Sequence, residues 1–268
     1  MNMNIKLLAL DADDTLVYDI SRLSEENRQA VLKAQEAGVM VTLATGRGFL
    51  ASTPVWKAVG IQGPVINYGG ALVTDTRTGE CLHATEIPNQ IIQEIFSIAE
   101  EEGFYAQLYQ GDTVITLREH LCAKAYGERL GVPVKIDPEL RSRQWSKVPK
   151  VLYIVEPERA ASVIGRMQKH FAGRLKVSGS SPGFVEFNDP RAHKGAALEW
   201  LAQSCGIPQE NVAAMGDNTL DLEMIQWAGV GVAMGNALPV VKEAADMIAP
   251  ACRENGVAWF INEYILKG

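Results

Sequence analysis

A chain of 268 residues is long for one domain and comfortable for two. Hydrophobic residues make up 47% of it and charged residues 21%, an ordinary balance for a globular protein that excludes a disordered or fibrous chain. Acids outnumber lysines and arginines by 32 to 25, the net charge is −7 and no basic stripe is visible, so nucleic acid and anionic membrane are not expected as partners.

The first predicted element is the strand Leu7-Leu8-Ala9-Leu10, an apolar run that reads as buried on both faces. It runs directly into Asp11-Ala12-Asp13-Asp14-Thr15. Like charges repel strongly in a low dielectric, so acids crowded at the end of a buried strand point to a compensating cation. Taken alone, the cluster suits an Asp-rich turn or cap equally well. In open α/β sheets, however, the carboxyl end of a strand is where ligands bind. An Asp there can attack phosphorus as a carboxylate nucleophile, and a second Asp two residues on can serve as acid and base. Both roles need a nearby divalent ion, and Mg²⁺ prefers a few carboxylate oxygens together with phosphate and water.

Ser24-Glu25-Glu26-Asn27 opens a helix that Gly38 closes. A strand over Val39–Leu43 ends in Ala44-Thr45-Gly46-Arg47-Gly48, and a helix follows to Val59. Pro64-Val65-Ile66 is a third strand, leading into Asn67-Tyr68-Gly69-Gly70-Ala71, and the βαβ rhythm implies a parallel sheet. Ala71–Thr74 and Cys81–Ala84 read as a hairpin. The pattern then changes. Between 86 and 186 the sequence predicts a helix, a strand pair around the turn Gln110-Gly111-Asp112, a helix, a strand at Val151–Val155, a helix at Pro157–Phe171 and strands at Leu175–Ser178 and Phe184–Phe187. The parallel rhythm returns with a helix at His193–Cys205, a strand at Val212–Met215, a helix at Thr219–Trp227 and a strand at Gly229–Ala233. A short helix, an edge strand at Asp246-Met247-Ile248 and a helix at Gly256–Ile265 complete the chain. The expected fold is α/β: a doubly wound, Rossmann-like parallel-sheet core formed by residues 1–85 and 187–268, with an inserted α+β cap domain over 86–186.

Three further polar clusters fall at strand-to-helix junctions. Thr45-Gly46 offers a hydroxyl and an open backbone N–H to phosphate oxygens at a helix start, or simply caps the helix. Lys194 stands at a helix N-terminus, where a cation opposes the macrodipole; an anion it must meet explains that position, as does a solvated side chain. Its neighbour His193 reads as a surface or first-turn residue. Asp217 and Asp221, four apart, are expected to share a helix face and address one cation, with Asp217 as a plain N-cap the alternative. Cys81, Cys122, Cys205 and Cys252 are scattered and read as free thiols, which suits a reducing compartment. No signal peptide pattern and no run of about 18 apolar residues is present, so a cytoplasmic protein is expected.

The ordered set Asp-x-Asp-x-Thr, Thr-Gly-Arg, Lys-Gly and Gly-Asp-x-x-x-Asp resembles the haloacid dehalogenase superfamily of phosphohydrolases, in particular the Cof-like hydrolases with the larger inserted cap. The resemblance spans the whole chain. It extends to Asn67–Ala71, to Val232–Ala237 with Lys242–Asp246, and to Glu254–Ala258. It implies a phosphatase working through a phospho-aspartyl intermediate, with Asp11 as nucleophile and Asp13 as acid and base. Ala12, Thr45, Gly46 and Lys194 would hold phosphate, and Asp11, Asp13 (through its carbonyl), Asp217 and Asp221 would hold or orient Mg²⁺. The substrate would be a small phosphorylated metabolite such as a sugar phosphate, and the protein a monomer or weak homodimer. A cap would close to exclude water and select substrate. Tyr105, Tyr109 and Arg118 lie on its predicted strands, although packing accounts for them equally well. Two positions depart from the family pattern: Asp14 stands where Gly is usual and Leu220 where Asn is usual. A phosphomutase on the same scaffold, or a phospho-accepting signalling domain, are the alternatives; signalling domains of that kind are about half as long.

Overall fold

The apolar run Leu7–Leu10 is fully buried within an eight-stranded sheet, as its lack of alternation requires. The structure, a computed structural model, describes residues 3–19 and 22–267. The chain begins with β1 (Leu7–Asp11), α1 (Glu25–Glu36), β2 (Met40–Ala44), α2 (Phe49–Val59), β3 (Pro64–Asn67), β4 (Leu72–Asp75) and β5 (Cys81–Ala84). Next come α3 (Asn89–Glu102), β6 (Tyr105–Gln110), β7 (Thr113–Thr116), α4 (Leu121–Leu130), β8 (Val134–Ile136), β9 (Val151–Ile154), α5 (Pro157–His170), β10 (Lys176–Ser178) and β11 (Phe184–Asn188). The last stretch contains α6 (Lys194–Ser204), β12 (Val212–Gly216), α7 (Leu222–Trp227), β13 (Val230–Ala233), α8 (Pro239–Ala244), β14 (Met247–Ile248) and α9 (Gly256–Phe260).

The large sheet has the order β14-β13-β12-β1-β2-β3-β4-β5. Pairing is parallel from β14 to β3, and β4 returns antiparallel along β3. β1 thus has β12 on one side and β2 on the other, the place where strand order reverses and where such sheets bind ligands. Leu10 faces Met215 and Asp11 faces Ala44, so the residues that follow β1, β2 and β12 leave the sheet at one edge. Helix α1 shows why the local sequence folds as it does. Ser24 Oγ accepts a 3.1 Å hydrogen bond from the Asn27 N–H, Glu25 and Glu26 favour the positive helix end, and Asn27, Ala30, Val31 and Ala34 form its buried face.

The chain divides into two compact units: Met1–Arg47 with Ser52–Leu82 and His193–Gly268, and Gly48–Ala51 with His83–Ala192. The sequence reading set the changes at 85/86 and 186/187. The second unit holds a six-stranded sheet, β10-β11-β9-β6-β7-β8. Alternate residues of β6, namely Ala106 and Leu108, join Phe104 in a core with Ile92, Ile95 and Phe96 of α3 and Val163 and Met167 of α5. Tyr105, Gln107 and Tyr109 of β6 form a buried polar row: Tyr105 donates to Gln107 Oε1 at 2.7 Å, and Gln107 Nε2 donates to Tyr109 Oη at 2.7 Å.

The α/β class with a parallel-sheet core is as expected, and three local features differ. Strand β8 was not predicted; its three residues are all exposed, so they carry no burial pattern, yet they pair in parallel with β7. The segment predicted as one helix from Thr219 begins as a 3₁₀ turn, Thr219–Asp221, before α7. At the C-terminal end α9 passes into a π-helical turn, Ile261–Ile265. Among the described residues no helix is long and apolar enough to cross a membrane.

Candidate active site

Asp11, the last residue of β1, is buried, and its Oδ1 accepts a 2.5 Å hydrogen bond from Lys194 Nζ. Lys194 is the first residue of α6 and is 2% exposed. Its ammonium also donates to Asp221 Oδ1 at 2.6 Å, which supplies the anion that its position at a helix N-terminus demands. His193 is the N-cap of α6, and its Nδ1 accepts from the Ala196 N–H at 3.1 Å. Gly70 holds this corner in place: at φ 106°, a Cβ added to it would lie 2.2 Å from the His193 carbonyl oxygen.

Asp217 follows β12, and its Oδ1 accepts a 3.0 Å hydrogen bond from the fully buried hydroxyl of Thr15. Asp221 does not share a helix face with it. Asp221 ends the 3₁₀ turn, and its Oδ2 reaches back to accept from the Asp217 N–H at 3.0 Å and the Asn218 N–H at 2.9 Å. Asn218, and not Asp217, is the cap of that turn. Gly216 makes the fold-back possible, because a Cβ there would fall 2.4 Å from Asp221 Cβ. One carboxylate oxygen from each of Asp11, Asp217 and Asp221 lies within 4.8 Å of the others.

The remaining predicted residues lie outside this acid cluster. Asp13 is exposed and its carboxylate is forked by Arg47, with Nε donating at 3.0 Å to Oδ2 and Nη2 donating to Oδ1. Thr45 is buried just past β2, and its Oγ1 accepts from the Arg47 N–H at 3.2 Å. Gly46 is exposed with open space around it, and α2 begins only at Phe49, so Thr45-Gly46 form a loop and not the first turn of a helix. Ala12 is fully buried directly after β1.

Three buried carboxylates face a single ammonium, which leaves negative charge in the cluster uncompensated. Burial pushes the Asp11 carboxyl up to about 7 against the pull of Lys194, with Asp221 and Asp217 adding to the rise. Burial, reinforced by Asp221, likewise lifts Asp217 to about 6, with Thr15 opposing. Burial disfavours the Lys194 charge, but Asp11 and Asp221 outweigh it and hold the ammonium above its ordinary range. Carboxylate oxygens with charge to spare form a donor set that fits a hard divalent cation.

The family model described as haloacid dehalogenase-like hydrolase matches residues 8–261. The chain belongs to the haloacid dehalogenase-like hydrolase family. It is 33% identical over 269 residues to the Bacillus subtilis protein YxeH, covering 97% of this chain and 98% of that protein. It is 29% identical over 273 residues to the 5-amino-6-(5-phospho-D-ribitylamino)uracil phosphatase YcsE of Bacillus subtilis, covering 99% and 98%. A crystal structure of a haloacid dehalogenase-like hydrolase from Bacteroides thetaiotaomicron superposes with a TM-score of 0.83 at 27% identity, covering 96% of this chain and 98% of that one. The protein is thus an enzyme, a phosphatase of the haloacid dehalogenase type.

Two contacts of this haloacid dehalogenase-like site escaped the sequence reading. Thr15, visible only as part of a motif, bonds Asp217 across 202 positions of sequence, and Arg47 grips Asp13. The motif Asp-x-Asp-x-Thr did flag Thr15, but its partner depends on the β1–β12 pairing. At the two positions that depart from the family pattern, Asp14 adopts φ 60°, the left-handed backbone a Gly would take, and Leu220 is 50% exposed on the 3₁₀ turn.

Proposed function

We propose that the enzyme is a cytoplasmic, Mg²⁺-dependent phosphatase that hydrolyses a small phosphorylated metabolite, a sugar phosphate or similar phosphomonoester, through a phospho-aspartyl intermediate on Asp11. The observation that carries this reading is the buried Lys194 ammonium bonded to both Asp11 and Asp221 beside Asp217. Phosphoryl transfer needs positioning and charge stabilisation more than covalent machinery, and this cluster is equipped for both.

In the first step an Asp11 oxygen attacks phosphorus, the ester bond breaks, and Asp13 gives its proton to the departing oxygen. In the second step Asp13 takes a proton from water, whose oxygen displaces phosphate from Asp11. Release of Asp13 from Arg47 is a requirement of both steps. The Thr45 hydroxyl and the Ala12 and Gly46 N–H groups hold the phosphoryl oxygens, and Lys194 neutralises charge on them and on Asp11. Mg²⁺, held by Asp11, Asp217 and the Asp13 carbonyl, would supply further neutralisation of the phosphoryl oxygens when bound. Asp221, already accepting three hydrogen bonds, acts on this arrangement through Lys194 and the Asp217 loop. The inserted unit, residues 86–186 in the sequence reading, is assigned substrate selection.

Incubation with Mg²⁺ and para-nitrophenyl phosphate tests the reaction class. Continuous nitrophenol release is expected, whereas a single stoichiometric burst leaving stable phosphoprotein would turn the reading into a phospho-accepting module. A panel of phosphorylated metabolites then ranks substrates by kcat/KM.

A further inference from the structure

The segment Met234–Leu238 lies beyond β13 and contains none of the residues assigned to the chemistry, yet it is bonded to both acid-bearing loops of the same unit. The Met234 N–H donates to the Gly216 carbonyl at 3.0 Å and the Leu238 N–H to the Asp217 carbonyl at 3.0 Å, so the segment grips the chain at and just before Asp217. Its own turn is closed by the Ala237 N–H on the Met234 carbonyl at 2.9 Å, and Lys242 Nζ donates to the Gly235 carbonyl at 2.6 Å. From this fixed base the Asn236 side chain reaches the other loop. Its Nδ2 donates to the Asp14 carbonyl at 2.8 Å, while its Oδ1 accepts from the Cys252 N–H at 2.8 Å. A backbone acceptor at one end and a backbone donor at the other leave only one orientation for the carboxamide.

The Asp14 peptide is an informative place to be held. Asp14 carries φ 60°, a conformation that L residues adopt at some cost, directly after Asp13. On one side its N–H donates to the Val17 carbonyl at 2.8 Å; on the other its carbonyl meets Asn236. Asn236 itself is exposed, so its bonds add little to global stability. Their effect is conformational: they fix the turn that aims Asp13, and they fix it relative to the backbone of Asp217.

We infer that Asn236 is a positioning residue of the active site, a clamp that locks the left-handed turn after Asp13 to the loop carrying Asp217. This rests on the phosphatase reading of those acids. Misplacing catalytic groups by fractions of an ångström costs rate without unfolding the protein. The clamp therefore affects turnover and Mg²⁺ half-saturation more than stability.

The test uses the full chain with Asn236→Ala and Asn236→Asp; the latter keeps the size but turns an oxygen toward the Asp14 carbonyl. In metal-free protein, amide hydrogen exchange over residues 12–18 is expected to accelerate about tenfold while residues 40–44 stay as in wild type. With para-nitrophenyl phosphate, kcat is expected to fall about tenfold and the Mg²⁺ half-saturation concentration to rise about tenfold in both variants, with the thermal midpoint nearly unmoved. In an Asp14→Gly background, where the turn is unstrained, the loss on Asn236→Ala is expected to shrink to about threefold or less. Unchanged exchange over 12–18 overturns the clamp. Faster exchange with wild-type kcat and Mg²⁺ dependence overturns its catalytic role, as does an undiminished loss in the Asp14→Gly background. Wild-type turnover by Asp11→Asn in the same assay would instead overturn the reading of the acids, and the positioning role with it, while the metal-free exchange result would stand by itself.

Discussion

The two units bury polar groups in opposite ways. The first gathers Asp11, Asp217 and Asp221 around one lysine and leaves negative charge over. The second buries the neutral row Tyr105, Gln107 and Tyr109 with its hydrogen bonds satisfied along the row. Its acids are matched by cations, as with Glu94 beside Arg174 and His170, Glu102 beside Arg166, and the buried Asp137 beside the half-exposed Arg143. A neutral satisfied row contributes specificity and stability, whereas an unbalanced buried charge does neither until something binds it. The contrast separates a framework from a site, because groups whose burial and neighbours raise their proton affinity cluster where chemistry is done.

The strongest challenge to that contrast is Asp11→Asn, expected to lower turnover of para-nitrophenyl phosphate at least about 10³-fold while the metal-free thermal midpoint at about pH 4.5 stays near wild type. Residual turnover close to wild type would make the acid cluster a structural feature like the rest. Gly70→Ala should act on the same corner indirectly. Its Cβ would lie 2.2 Å from the His193 carbonyl oxygen and 2.8 Å from the Lys194 backbone nitrogen, at a backbone angle that L residues avoid. A loss of about 3 kcal/mol in urea unfolding and about 10²-fold in kcat is expected, and a variant with normal kcat would show that Lys194 is not held from that side.

A smaller effect follows from pH. Asp11 in the folded protein titrates near 7, above the ordinary carboxylate range, so between about pH 4 and 7 the folded state holds more protons than the unfolded one. Asp11 therefore makes the metal-free protein less stable as pH rises through that window, by no more than about 1.4 kcal/mol per pH unit, with no further loss above it. The stability of Asp11→Asn relative to wild type should accordingly increase from pH 4.5 to 7.5 in urea titrations with chelator, and a flat or opposite trend contradicts the assignment. Gln107→Ala sharpens the other half of the contrast. It deprives Tyr105 and Tyr109 of their shared partner, and about 1–3 kcal/mol of stability should be lost by urea unfolding. A neutral outcome would mean the row relaxes onto water.

The strand ends were legible in the sequence because a doubly buried apolar run into carboxylates is a local conflict visible without coordinates, as at Leu10-Asp11. Lys194 at a helix start was legible for the same reason. What stayed hidden depends on which strands become neighbours. Thr15 meets Asp217, and Asn236 meets Asp14, only because β12 pairs with β1. The Asp217–Asp221 spacing was read with helical geometry, but the capping box at Asn218 tightens that segment into a 3₁₀ turn and points Asp221 back at the loop. The exposed strand β8 gave no signal because none of its three residues is buried, although it pairs with β7.

The pairing of β1 with β12 also bears on how this enzyme comes into being. About two hundred residues must leave the ribosome before the first strand acquires one of its two neighbours. Until then an apolar strand waits with one edge bare, open to pairing with the wrong strand. The acid cluster is incomplete during that wait, because Asp217 and Asp221 follow β12 in the chain.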